Sequence, residues 1–184
     1  MSLDANPQVA GDKGKQRMIM QEIEDINQNF CDELYEIEPE HFGTEASEFA
    51  IKCSEVMKKY KVNRVLDIGC GNGRDSIFFG AQGFSVFALD YSQKAPSILK
   101  RRISATSLKK DTVPIQYDIC KGIPFDDGYF DAVYSFLLFP VGFSEIEIEY
   151  IFSEIYRGLQ HNGLFLACVR TGKEVSSFFD EKYI

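Results

Sequence analysis

Residues Val65 to Ser76 read VLDIGCGNGRDS: an apolar run holding one acid, three glycines at alternate positions, and a polar turn opening another apolar stretch. The run Arg64 to Ile68 is short and β-branched enough for a buried parallel strand, while Ile77, Phe78 and Ala81 recur at the spacing of one helix face. The order is therefore strand, loop, helix. Gly69, Gly71 and Gly73 remove three side chains where the chain must turn sharply and a ligand can approach its backbone. The helix that follows points free N–H groups at the same place.

A dinucleotide-binding loop has the spacing G-x-G-x-x-G. Counted from Gly69 and Gly71, its third glycine would fall on Arg74, but the chain places that glycine one residue early, at Gly73. Asp67 argues the same way, because a carboxylate at the strand end opposes a pyrophosphate and suits a ligand bringing an amine or sulfonium. The arrangement D-x-G-x-G-x-G resembles the first motif of class I, Rossmann-like S-adenosylmethionine-dependent methyltransferases. The later segments agree with it. Phe84 to Leu89 (FSVFAL) is a second buried strand and runs into Asp90-Tyr91-Ser92, and Val113 to Tyr117 is a third, followed by Asp118. Asp67, Asp90 and Asp118 thus converge at the carboxyl edge of a parallel sheet, where open α/β folds bind ligands.

For the cofactor S-adenosylmethionine, the resemblance implies a set of contacts. Asp67, Gly69, Cys70, Gly71 and Gly73 form the loop, Asp90 accepts hydrogen bonds from the ribose hydroxyls, and Tyr91 lies along the adenine. Asp118 accepts from the adenine amine, and the amide of Ile119 meets a ring nitrogen. Asp90 has a competing role as a helix cap, since Ser92 and Pro96 also mark a helix start. Cys70 reads as a small filler beneath the cofactor rather than a reactive thiol.

The stretch IPFDDGYFDAV, Ile123 to Val133, resembles the approach to the fourth strand of these enzymes, with Tyr129 to Phe136 as that strand. Asp126 and Asp127 belong to the turn before Gly128, and Asp131 reads as structural. Ser135 lies at the switch point beside the loop, and Ser135 to Phe139 (SFLLF) borders the methyl acceptor. The proline-and-aromatic tetrapeptide of branches that methylate amines of nucleic acids or glutamine is absent, and the apolar lining suits a small-molecule acceptor. No residue stands out as a general base. Ser144 and Glu147 form a capping box for a helix with the stripe Ile148, Ile151, Phe152, Ile155 and Leu159, closed by His161-Asn162-Gly163. Leu164 to Val169 is the fifth strand, and a short helical tail follows it.

Upstream of the loop, residues 1–15 read as a disordered tail and 16–62 as a helical lid segment, with the core domain over 63–184. Ile19, Ile23, Ile26 and Phe30 form one helical stripe; Phe49, Cys53, Val56, Met57 and Tyr60 form another, on a helix from about Glu45 to Tyr60. Between them CDELYEIEPEHFG is broken by Pro39. The resemblance implies a lid over the cofactor, with Tyr35, His41 and Phe42 either near the reaction centre or anchoring the lid to the body. The basic run on the helix after Asp90, from Lys100 to Lys110, reads as a solvated face.

The 184 residues carry a formal charge of −8 and a pI near 4.8. An acidic surface disfavours phosphate backbones, so no nucleic-acid partner is expected, and the chain shows neither a membrane-span-length apolar run nor a signal-peptide core. A cytoplasmic location is expected. Five scattered cysteines without a C-x-x-C pair give no metal motif, and Cys53 and Cys168 read as buried hydrophobes. The expected fold is α/β, a Rossmann-like doubly wound sheet with strand order 3-2-1-4-5 and the family's last two strands missing. Leu164 to Val169 would then be an open apolar edge, as in a fragment of a longer protein or a chain whose edge a second copy covers, and a monomer or an edge-paired homodimer is expected. The function class competing with methyl transfer is a cofactor-binding but inactive partner subunit.

Overall fold

The computed structural model describes residues 31–104, 106–139, 143–171 and 174–176. The tail and the first stripe, Ile19 to Phe30, lie outside those residues. Six strands form one sheet: β1 (Arg64–Ile68), β2 (Ser85–Asp90), β3 (Thr112–Gln116), β4 (Phe130–Phe136), β5 (Leu159–Thr171) and β6 (Glu174–Ser176), in the order β3-β2-β1-β4-β5-β6. The first five are parallel, which is the expected 3-2-1-4-5 sheet, with Asp67 opposite Ala88 on one side and Tyr134 on the other.

The helices are α1 (31–37), α2 (Glu48–Lys59), α3 (Arg74–Ala81), α4 (Ala95–Ile103) and α5 (Glu145–Gly158). Ser47 caps α2 by accepting from the Ala50 amide, and Glu48 at its start and Lys58 and Lys59 at its end complement the helix dipole. The expected capping box of α5 is present in both directions between Ser144 and Glu147.

Side chains alternate across the strands, so the sheet has two apolar faces. Val65, Val86 and Tyr134 point to the face covered by α2, α3 and α4, packing with Phe49, Met57, Phe79 and Leu99. Leu66, Ile68 and Val133 point to the other face and pack with Ile151 and Ile155 of α5. Burial on both faces explains why these strands read as nearly continuous apolar runs.

Several expectations need correction. The buried positions of α3 are Asp75, Ser76, Phe79 and Gly80; of the expected stripe, Ile77 and Phe78 are half-buried against the same core and Ala81 is exposed. Two polar residues face inward because each has a buried hydrogen-bond partner. Helix α4 stops at Ile103 instead of running to Lys110, and a 3-10 turn, Ser107–Lys110, leads into β3. His161, Asn162 and Gly163 do not close α5, whose C-cap is Leu159. They already belong to β5, where the pairing slips between Phe130↔Leu159 and Ala132↔Leu164 and Asn162 takes φ 61°. The expected helical tail is replaced, over Glu174–Ser176, by a strand antiparallel to β5, with Val169 opposite Ser176 and Thr171 opposite Glu174. The far end of β5 is therefore covered, and Leu159 to Cys168 lacks an outer partner strand among the described residues.

Candidate cofactor and active site

The glycine loop leaves β1 at the carboxyl edge of the sheet. The amides of Gly69 and Cys70 both donate to the Leu89 carbonyl, at 2.8 and 3.1 Å, which ties the loop to the end of β2. Gly69, Gly71 and Gly73 all have positive φ, 74°, 54° and 79°. Each is also crowded. A Cβ would lie 2.9 Å from Leu138 at Gly69, 2.6 Å from the Tyr35 hydroxyl at Gly71, and 2.4 Å from Leu99 at Gly73. The three glycines thus serve the packing of this chain.

Asp67 is 2% exposed and accepts a hydrogen bond from the Ser76 hydroxyl. Burial pushes its carboxyl up to about 8, with Asp75 and Asp90 adding to the rise and Ser76 opposing it. Asp90, 7% exposed at the end of β2, accepts from the amides of Gly71 at 2.8 Å and Ser92 at 2.9 Å. It therefore caps the turn into α4 and also braces the glycine loop, and burial again raises its pKa. Asp118 accepts from the Cys120 amide at 3.0 Å, pairs with Lys121 at 3.2 Å, and keeps 30% of its side chain exposed. Ile119 beside it is buried.

Tyr91 lies at the end of β2 with its hydroxyl 3.5 Å from the Cys31 sulfur, while its carbonyl accepts from Gln116. The Cys70 thiol is buried, and burial holds its pKa well above the usual thiol value. Ser135 is fully buried between Ile68 of β1 and Ala167 of β5, and its hydroxyl has no hydrogen-bond partner among the described residues. Leu137, two residues on, takes φ 60° at the switch point, where the chain leaves β4.

The segment before α2 is stitched directly onto this loop. Asn72 donates to the carbonyls of Pro39 and Gly43, at 3.2 and 2.9 Å, and Arg74 donates to that of Phe42 at 2.6 Å. Arg102 of α4 bridges the carbonyls of Asn72 and Thr44. Asp32 of α1 accepts from the Ser92 hydroxyl and the Gln93 amide. Of the three aromatics singled out in the sequence, Tyr35 is buried against the loop, whereas His41 is bound to Glu38 at the surface and Phe42 is 48% exposed.

Sequence reasoning missed Asp75. It is 5% exposed and accepts from the Ser47 amide at 2.7 Å, the Ser47 hydroxyl at 2.9 Å and the Tyr134 hydroxyl at 2.7 Å, joining α2, α3 and β4 beside the loop. Its only sequence signal was an acid in the first turn of a helix, which dipole complementarity explains equally well.

A parallel sheet in this order, with a glycine loop after its first strand and an acid at or just beyond the end of each of its first three, is the class I methyltransferase architecture. The family model for the methyltransferase domain matches residues 65–163, and the chain belongs to that family. It is 30% identical over 122 residues to a demethylmenaquinone methyltransferase of Symbiobacterium thermophilum, an alignment covering 63% of this chain and 45% of that one. The PH0226 protein of Pyrococcus horikoshii shares the fold with a TM-score of 0.60 at 25% identity, over 74% of this chain and 65% of that one. Haemonchus contortus phosphoethanolamine N-methyltransferase 1 does so with a TM-score of 0.63 at 17% identity, over 82% and 33%. The chain spans about half the length of the Symbiobacterium relative.

Proposed function

We propose that this chain is a cytoplasmic enzyme that binds S-adenosylmethionine at the glycine loop and moves its methyl group to a small-molecule acceptor. The observation that carries the reading is the buried acid cluster. Asp67 and Asp90 lie at the loop with almost no solvent, and neither forms an ion pair among the described residues. Buried carboxylates without a cation are unfavourable, and a ligand bearing an ammonium and a sulfonium offsets that cost. The residues present therefore fit this cofactor. When bound, it supplies a methyl group already activated on sulfur.

The protein's own task is placement. Asp67 sets the field at the loop, Asp90 offers ribose hydroxyls a carboxylate already held by two amides, and Asp118 and Ile119 border the adenine. Beyond the buried Ser135, Phe136 to Phe139 line the side where the methyl emerges, and the stitched segment 31–44 excludes water, so that alignment supplies the rate. The demethylmenaquinone named for the Symbiobacterium relative is a small molecule, in keeping with the apolar residues there. No helix among the described residues is long and apolar enough to cross a membrane.

Calorimetry with S-adenosylhomocysteine tests the reading. The wild type is expected to bind, and Asp90→Ala to weaken binding by about 1.5 to 3 kcal/mol for each charge-assisted hydrogen bond removed. No heat with the wild type, or an unaltered affinity in the variant, would overturn the assignment.

A further inference from the structure

Tyr35 is 7% exposed, yet its hydroxyl has no hydrogen-bond partner among the described residues. The oxygen is not among the buried unpartnered atoms, so this donor is open on the side of the candidate site and available to a ligand there. The ring itself is fixed. It packs with Ala95 and Ile98 of α4 and with Cys31, and it lies 5.8 Å from the Phe42 ring at a tilt of 60°. Its oxygen is the atom that a Cβ on Gly71 would strike, at 2.6 Å, so it hangs over the middle glycine of the loop. The amide of that same glycine donates to Asp90. Burial raises the phenol's pKa well above its usual value, and Asp90 is the charged group that adds most to the rise. The hydroxyl therefore keeps its proton, and it lies over the same glycine whose amide holds the Asp90 carboxyl.

We propose that Tyr35 is a cofactor-binding residue: its hydroxyl donates to the oxygen of the ribose hydroxyl whose own proton is held by Asp90. This rests on the cofactor reading above. One hydroxyl then serves as donor to the carboxylate and acceptor from the phenol, which uses each group's ordinary valence and completes a short polar chain. The consequence is that α1 contributes directly to sugar recognition, in addition to covering the site.

The test is Tyr35→Phe, which keeps the ring and removes only the oxygen. Titration calorimetry is run on the full chain with S-adenosylhomocysteine and with 5′-methylthioadenosine, which has the ribose and adenine but no amino-acid group, alongside thermal unfolding without ligand. The expected result is an affinity about 3- to 10-fold lower for both ligands, as for one lost neutral hydrogen bond. The melting temperature of the free protein should not change, because the hydroxyl has no partner to lose among the described residues. Unchanged affinity, a loss confined to S-adenosylhomocysteine, a wild type blind to methylthioadenosine, or a lowered melting temperature in the free variant would each overturn the assignment of Tyr35. A wild type that binds neither ligand would instead overturn the cofactor reading on which it rests.

Discussion

Asp67 offers the sharpest test of the electrostatics of the site. Its carboxyl has an ordinary pKa of 3.8, raised to about 8 in the folded chain by complete burial and by two neighbouring acids. A folded pKa above the unfolded one means that the native state binds the extra proton. The resulting stability is present at low pH and is lost as pH rises toward and through 8. Between pH 6 and pH 9 the unfolded carboxyl is ionised throughout, whereas the folded one changes from almost fully protonated to mostly ionised. Integrating that difference gives a loss of roughly 2 to 3 kcal/mol over the interval. Asp67→Asn keeps an acceptor for the Ser76 hydroxyl but cannot titrate, so its stability should vary less with pH by about that amount. Urea unfolding of both proteins from pH 6 to pH 9, without ligand, measures it. Curves that run parallel for wild type and variant would refute the claim that Asp67 carries a proton in the free protein.

Two further substitutions probe how the site is held. Asp75→Ala removes the shared acceptor of the Ser47 amide, the Ser47 hydroxyl and the Tyr134 hydroxyl, and is expected to cost about 3 kcal/mol or more; Asp127→Ala, which breaks an ion pair whose acid is 82% exposed, should cost less than about 1 kcal/mol. Equal losses for the two in urea unfolding would show that Asp75 is not a structural junction. Gly73→Ala forces a left-handed residue at φ 79° and drives its Cβ to 2.4 Å from the buried Leu99, so about 2 to 4 kcal/mol should be lost. A melting temperature within a degree of wild type would contradict that packing.

The strand-loop-helix unit and its place in the fold were legible because they are local. Val65, Leu66 and Ile68 have the composition of a strand buried on both faces, three alternate glycines announce a turn with positive φ, and Asp90 and Asp118 recur beside later strands of the same kind. The order 3-2-1-4-5 followed from the family resemblance those motifs carry, and the register of β1 between β2 and β4 agrees with it. Ser144 and Glu147 likewise announced α5, since a capping box is a contact between residues three apart.

What the sequence alone could not determine is every feature set by partners distant along the chain. The helical spacing of Ile77, Phe78 and Ala81 suggested an apolar stripe, but α3 turns Asp75 and Ser76 inward because Ser47, Tyr134 and Asp67 wait there to bond them. Asp90 read as a ligand or a cap, and only the folded chain revealed the third task of bracing the Gly71 amide. The unpartnered hydroxyl of Tyr35 over Gly71 was equally invisible, because whether a polar group is satisfied depends on what the fold brings to within about 3 Å of it, not on its neighbours in sequence. Periodicity reports how much water a face can lose, whereas hydrogen-bond partners across 28 or 59 residues, as for Asp75, are decided only when the sheet assembles.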